Sequence, residues 1–127
     1  MHKGSCLCGA IRFEIETDPV AVSNCHCIMC QKQHGAAFAT YARFRRCEVH
    51  YLAGVDTLAV YQSSADVQRK FCGRCGSNIE WGYSSGEYAI WVAMAVGLLD
   101  TEFKPENVKE LHQDTQVCWW RSHAEIT

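Results

Sequence analysis

Cys25-His26-Cys27-Ile28-Met29-Cys30 places three thiols within six residues. Two cysteine pairs flank it at a distance, Cys6 with Cys8 near the start and Cys72 with Cys75 well downstream, so seven of the nine cysteines fall in three tight clusters. Random scatter rarely does that, and zinc thiolate sites require it, because a structural zinc takes four protein ligands at tetrahedral geometry. Cys72-Gly73-Arg74-Cys75-Gly76 has the spacing of a knuckle, with a two-residue spacer that lets both sulfurs face one ion and glycines that ease the tight turn. Cys6-Leu7-Cys8 has a one-residue spacer, and residues i and i+2 of an extended chain share a face. Two pairs make four ligands, so Cys6, Cys8, Cys72 and Cys75 are assigned to a closed structural zinc site.

The middle cluster repeats both spacings, Cys25 with Cys27 and Cys27 with Cys30. Three protein ligands leave one position for water or substrate, which is the pattern of a catalytic zinc. Alternatives stay open at this level. Cys47 or Cys118 or a histidine would close the second site and make it purely structural. The clusters would also pair differently without changing any spacing. A disulfide framework fits less well, since the cysteine count is odd and the opening Met1-His2-Lys3-Gly4-Ser5-Cys6 has no apolar core of a signal peptide. A reducing cytoplasm is the expected setting for so many thiols.

Working outward, residues 10–16 alternate, with Ile11, Phe13 and Ile15 against Arg12, Glu14 and Glu16, which predicts a half-buried strand. Asp18-Pro19 breaks it, and residues 20–24 form a short apolar approach to the middle cluster. Residues 27–34 predict one or two helical turns stopped by Gly35. Residues 36–42 predict a strand with Phe38 and Thr40 lining the open site. Arg43, Arg45 and Arg46 form a basic corner, read first as a solvated turn and second as a grip for a carboxylate. Residues 47–52 alternate up to a turn at Ala53-Gly54. Residues 58–62 and 67–71 predict a hairpin around 63–66 that delivers the knuckle to the first cluster. Residues 78–82 leave the knuckle as a strand, 88–96 are a core strand, 97–105 a loop, 108–112 the last strand, and 117–120 cap the sheet. Residues 123–127 are expected to fray.

The motifs Gly4-Ser5-Cys6-Leu7-Cys8-Gly9-Ala10, Cys25 to Cys30 with the following Gln31-Lys32-Gln33-His34-Gly35-Ala36-Ala37-Phe38, and Phe71-Cys72-Gly73-Arg74-Cys75-Gly76-Ser77, in this order, resemble the glutathione-dependent formaldehyde-activating enzyme family, which also contains centromere protein V. The resemblance runs from Gly4 to Trp119. It departs at Gln31, where the family often has Arg, and at Cys118, where it often has Pro. It implies a mainly β fold, the β-tent of small antiparallel sheets, with one short helical segment after the central cluster. It also implies a structural zinc on Cys6, Cys8, Cys72 and Cys75, a second zinc on Cys25, Cys27 and Cys30 where glutathione acts, and carbon–sulfur lyase chemistry on a glutathione adduct of formaldehyde.

Charge and length bound the rest. The 127 residues fit one zinc-binding domain, 1–127. A net charge of −2 gives no general attraction to nucleic acid or to an anionic membrane surface, and no apolar run approaches a bilayer span. The expected partner is a small-molecule thiol substrate, glutathione first. Three thiolates on Zn²⁺ leave one net negative charge and weaken the metal as a Lewis acid, so a neighbouring donor is needed. His26 and His34 are the candidates, His26 first, since imidazole titrates near neutrality. Lys32 and Gln33 are expected exposed, Trp119 and Trp120 core and cap, and His112 structural. Two competing readings are a zinc-stabilised binding module without catalysis and a methionine sulfoxide reductase using Cys118. The second of these is the weaker, because the surroundings of Cys118 do not match.

Overall fold

A computed structural model of the chain describes residues 1–120. In chain order the strands are β1 (His2–Ser5), β2 (Arg12–Ile15) and β3 (Ala21–Cys25), then the helix α1 (Ile28–His34), then β4 (Ala39–Arg45), β5 (Val49–Ala53), β6 (Leu58–Gln62), β7 (Val67–Cys72), β8 (Asn78–Tyr83), β9 (Trp91–Ala95) and β10 (Lys109–Leu111). They form a three-stranded sheet, β1-β2-β5, and a seven-stranded sheet, β10-β3-β4-β9-β8-β7-β6. Among the described residues the fold is mainly β with one α-helix, as the sequence predicts. No helix among the described residues is long and apolar enough to cross a membrane.

The core sits between the two sheets. Ile11, Phe13 and Ile15 from the small sheet meet Val22, Ala42, Phe44, Ile79, Val92 and Met94 from the large one. Strand period explains what the opposite face of the large sheet carries. On β4, Ala42 and Phe44 point to the core while Tyr41 and Arg43 point to the other side, and Tyr41 joins Cys30, Ala39 and Ala95 in a second, smaller cluster. One sheet therefore has a structural face and a face that carries the middle cysteines.

Inside the main core lies a buried carboxylate. Glu80 accepts from Arg46 Nη1 at 2.8 Å and from the Tyr51 hydroxyl at 2.6 Å, with Lys70 Nζ at 3.6 Å. The Arg46 guanidinium passes so close to Gly82 that a Cβ there would lie 2.7 Å from it, so a side chain at 82 would push the guanidinium aside.

Several expectations need correction. β10 runs parallel to β3, so the large sheet is not wholly antiparallel. Residues 88–96 are not one strand: Gly86 has φ +87°, a 3-10 turn covers Glu87–Ile90, and β9 starts only at Trp91. The basic corner is solvated at Arg43 and Arg45 but is strand, not turn. Arg43 and Arg45 continue β4 and both lie over the Trp91 ring, 5.0 Å from its centroid, while Arg46 turns inward to Glu80. Residues 20–24 are mostly strand β3, and β1 has no apolar alternation to announce it. Residues 117–120 add no strand, and Trp119 is exposed. Residues 123–127, expected to fray, lie outside the described residues.

Candidate metal centres

The first centre joins two remote turns. Cys6 and Cys8 come from the turn between β1 and β2, Cys72 from the end of β7, and Cys75 from the turn that follows. Their four sulfurs all lie within 4.8 Å of one another, with Cys6 to Cys8 at 3.6 Å and Cys8 to Cys72 at 3.8 Å. Sulfurs at the corners of a zinc tetrahedron sit about 3.8 Å apart, from a Zn–S bond of about 2.3 Å, so this donor set fits the ion. Backbone N–H groups also point at the sulfurs. Ile11 donates to Cys6 at 3.3 Å, and Arg74 and Cys75 donate to Cys72 at 3.4 Å each. Such donors favour thiolate over thiol. The Ser77 hydroxyl, 3.3 Å from Cys75, draws that thiol down to about 5. Gly76 adopts φ +82°, the left-handed conformation that the knuckle turn demands.

The second centre is built where β3 runs into α1. Cys25 ends β3, Cys27 caps α1 and Cys30 lies in its first turn. The Cys27 sulfur accepts from the Cys30 N–H at 3.3 Å, the bond that a serine or aspartate makes at other helix starts. Gly35, at φ +59°, ends the helix as its left-handed cap. The three sulfurs lie within 4.8 Å of one another, and no fourth ligating side chain joins them among the described residues. Cys47 and Cys118 are exposed and stand apart, and all nine cysteines are free. Without a cation the trio shares protons: Cys25 is drawn down to about 5 by the hydrogen bond from Cys30, whose own thiol is pushed far up. Crowded sulfurs that cannot all ionise alone are a donor set suited to a divalent soft-tolerant metal.

The trio opens into a cavity of about 370 Å³ whose wall includes Arg43, Arg69, Lys109, His112, Tyr41 and Trp81, with no carboxylate among the described residues. In a chain of net charge −2, this local excess of cations marks a place for an anion. Burial holds the Tyr41 hydroxyl well above the usual phenol range, with the nearby sulfurs adding to it, so it stays protonated. His34 Nε2 lies 3.0 Å from that hydroxyl. Burial, and then the Arg69 charge, holds His34 below the usual imidazole value.

The remaining expected residues are placed as follows. His26 does not line the cavity. It is fully buried, its ring packed 5.0 Å from Phe38 and 5.4 Å from Trp120, with Nε2 on Glu110 at 2.7 Å and Nδ1 without a partner among the described residues. Phe38 and Thr40 do not line it either: Phe38 packs on His26 and Trp120, and the Thr40 hydroxyl donates to Asn24 at 2.7 Å. Gln33, expected exposed, is half-buried and accepts from Arg69 at 2.7 Å. His112, expected to be structural, reaches the cavity wall from a backbone φ of +58°. Arg69, Tyr41 and Lys109 were missed. A signal existed for Arg69, which alternates with Val67 and therefore sits at an inward register.

The chain belongs to the glutathione-dependent formaldehyde-activating enzyme family, whose profile matches residues 1–119. It is 25% identical over 117 residues to an uncharacterized lyase of Schizosaccharomyces pombe, covering 92% of this chain and 77% of that one. A Halomonas elongata protein, provisionally named glutathione-dependent formaldehyde-activating enzyme, is 30% identical over 81 residues, which are 59% of this chain and 52% of that protein. A crystal structure of a Rhodobacter sphaeroides protein superposes with a TM-score of 0.67 at 24% identity, over 85% of this chain and 98% of that one, a likeness of fold.

Proposed function

We propose that this chain is a single zinc-binding domain that carries two zinc ions and acts as a carbon–sulfur lyase of the S-(hydroxymethyl)glutathione synthase type. Its substrate would be the glutathione adduct of formaldehyde or of a similar small aldehyde, handled in the reducing cytoplasm. The observation that carries this reading is the asymmetry between the centres: four sulfurs enclose one, three sulfurs and a cation-lined cavity form the other. Family membership and the relatives named as a lyase and a formaldehyde-activating enzyme support it.

In this reading Cys6, Cys8, Cys72 and Cys75 hold the structural zinc, and Cys25, Cys27 and Cys30 hold the second. When bound there, the second zinc supplies a Lewis-acid centre that favours thiolate over thiol. The protein side chains do the rest. Glutathione carries two carboxylates and one ammonium, so Arg43 and Lys109 attract it and fix its orientation. In adduct formation the sulfur lone pair makes the C–S bond, the carbonyl π pair moves to oxygen, and that oxygen takes up a proton while the thiol has given one up. The protonated Tyr41 and the imidazole of His112 are the wall groups able to hydrogen-bond that oxygen. His26 acts at one remove. With Glu110 it clamps β10 to β3, which keeps Lys109 and His112 beside the trio.

Product formation from formaldehyde and glutathione, followed by NMR against the spontaneous rate, tests the reaction. Wild type should exceed that rate and Cys27→Ser should not. Equal rates for both would refute it.

A further inference from the structure

Arg69 is the most unusual charge in the molecule. It lies on β7 at 4% exposure. Its Nε donates to Ser63 Oγ at 3.1 Å, and its Nη1 donates to Gln33 Oε1 at 2.7 Å and to Cys30 Sγ at 3.6 Å. None of the ion pairs among the described residues includes it. A guanidinium does not give up its proton in a protein, and a buried charge without an opposing one is costly. The Gln33 and Ser63 oxygens are neutral. The anion that faces this cation is therefore the sulfur trio itself.

That pairing answers an electrostatic difficulty. Three thiolates around a divalent ion carry one net negative charge. A glutathione thiolate entering the same centre adds a second, and like charges at contact distance repel, more strongly where the dielectric is below that of bulk water. We propose that Arg69 is the positioning residue for the incoming thiol. Its fixed charge offsets that of the trio, so the cavity accepts the glutathione sulfur as an anion. This rests on the zinc and glutathione reading above, and supplies the neighbouring cation that a three-thiolate centre lacks.

The test is calorimetric binding of glutathione and of S-methylglutathione, whose sulfur cannot ionise, to the zinc-loaded protein and to Arg69→Gln and Arg69→Lys. Arg69→Gln should weaken glutathione about tenfold or more and leave S-methylglutathione within about twofold, while Arg69→Lys, which keeps the charge, stays close to wild type. Loss of both ligands alike in Arg69→Gln, no loss of either, or an equal fall in Arg69→Lys overturns the proposal. Should Arg69→Gln not fold, Arg69→Met, neutral and of similar length, takes its place. It should likewise weaken glutathione selectively, and unchanged affinity for both ligands overturns the proposal. If wild type binds neither ligand, the glutathione reading fails. Arg69 is then judged by how fast a chelator strips the second zinc: faster loss in the variant than in wild type supports its charge role, and equal rates end it. A wild-type protein that holds one metal ion per chain removes both readings.

Discussion

Cys8 Sγ and Cys72 Sγ lie 3.8 Å apart although 64 residues separate them in the chain. No backbone ladder joins the turn after β1 to the end of β7, because these strands belong to different sheets. One lighter tie runs beside the sulfurs. The Leu7 N–H donates to the Ser77 hydroxyl at 2.9 Å, and Ser77 is itself held in the knuckle by the Cys72 N–H, which donates to its carbonyl at 2.8 Å. The contact between sheets at this end thus depends on what the four sulfurs hold.

Cys72→Ser is accordingly expected to lose metal and fold together. Structural zinc sites contribute on the order of 10 kcal/mol of apparent binding free energy, comparable to the whole stability of a small domain. The measurement is metal content beside thermal unfolding. A folded variant with one zinc fewer and an unchanged midpoint would remove the structural role from this centre.

Glu80 offers a test of the core that does not involve metal. It is buried and faces Arg46, Lys70 and the Tyr51 hydroxyl. Glu80→Gln keeps the shape but leaves the partly exposed Arg46 charge without its partner, which should cost about 1–2 kcal/mol. Urea unfolding should show a lower midpoint at an unchanged slope. A loss within experimental scatter would mean that Arg46, which is partly exposed, finds water instead.

The cysteine clusters were legible because their spacing encodes geometry directly: a one-residue spacer on extended chain or a two-residue spacer on a turn converges two sulfurs whatever the rest of the fold does. The short helix was legible for a similar reason, since Gly35 supplies the left-handed cap that ends it. The cavity was not legible. Arg69 reaches Cys30 only because β7 and the trio share one face of the large sheet, and strand order is not written in local pattern. Lys109 and His112 arrive through a parallel pairing of β10 with β3, whose side-chain ties link partners 86 residues apart for Asn24 and Glu110 and 84 apart for His26 and Glu110. The histidine expected to move protons turned out to be the one that holds this pairing, because adjacency in sequence to Cys25 and Cys27 puts His26 on the opposite side of the strand end.

His34 should give the stability a pH dependence of defined sign. Its folded value is held below the ordinary one by burial and then by Arg69. The unfolded chain takes up its proton near about 6.5. Below that pH the unfolded state binds more protons than the folded state, so stability falls as pH drops, and above it the contribution is flat. The check is the difference in thermal midpoint between wild type and His34→Gln at about pH 7.5 and 5.5, one unit either side of that value. Wild type should lose more on acidification than the variant does. Equal losses would show that the imidazole is protonated in the fold without cost.

Cys27→Ser separates the two centres. Serine is a preferred helix cap, so α1 keeps its first hydrogen bond when the sulfur is replaced. The trio loses one of its three donors, while the four sulfurs of the other centre are untouched. The expected protein is folded, with metal content reduced from two ions per chain toward one and glutathione binding weakened by about tenfold or more. Metal analysis, circular dichroism and calorimetry on the same sample read the three quantities. If the variant keeps both ions and its affinity, Cys27 serves only as a helix cap, and the open centre needs a different third ligand.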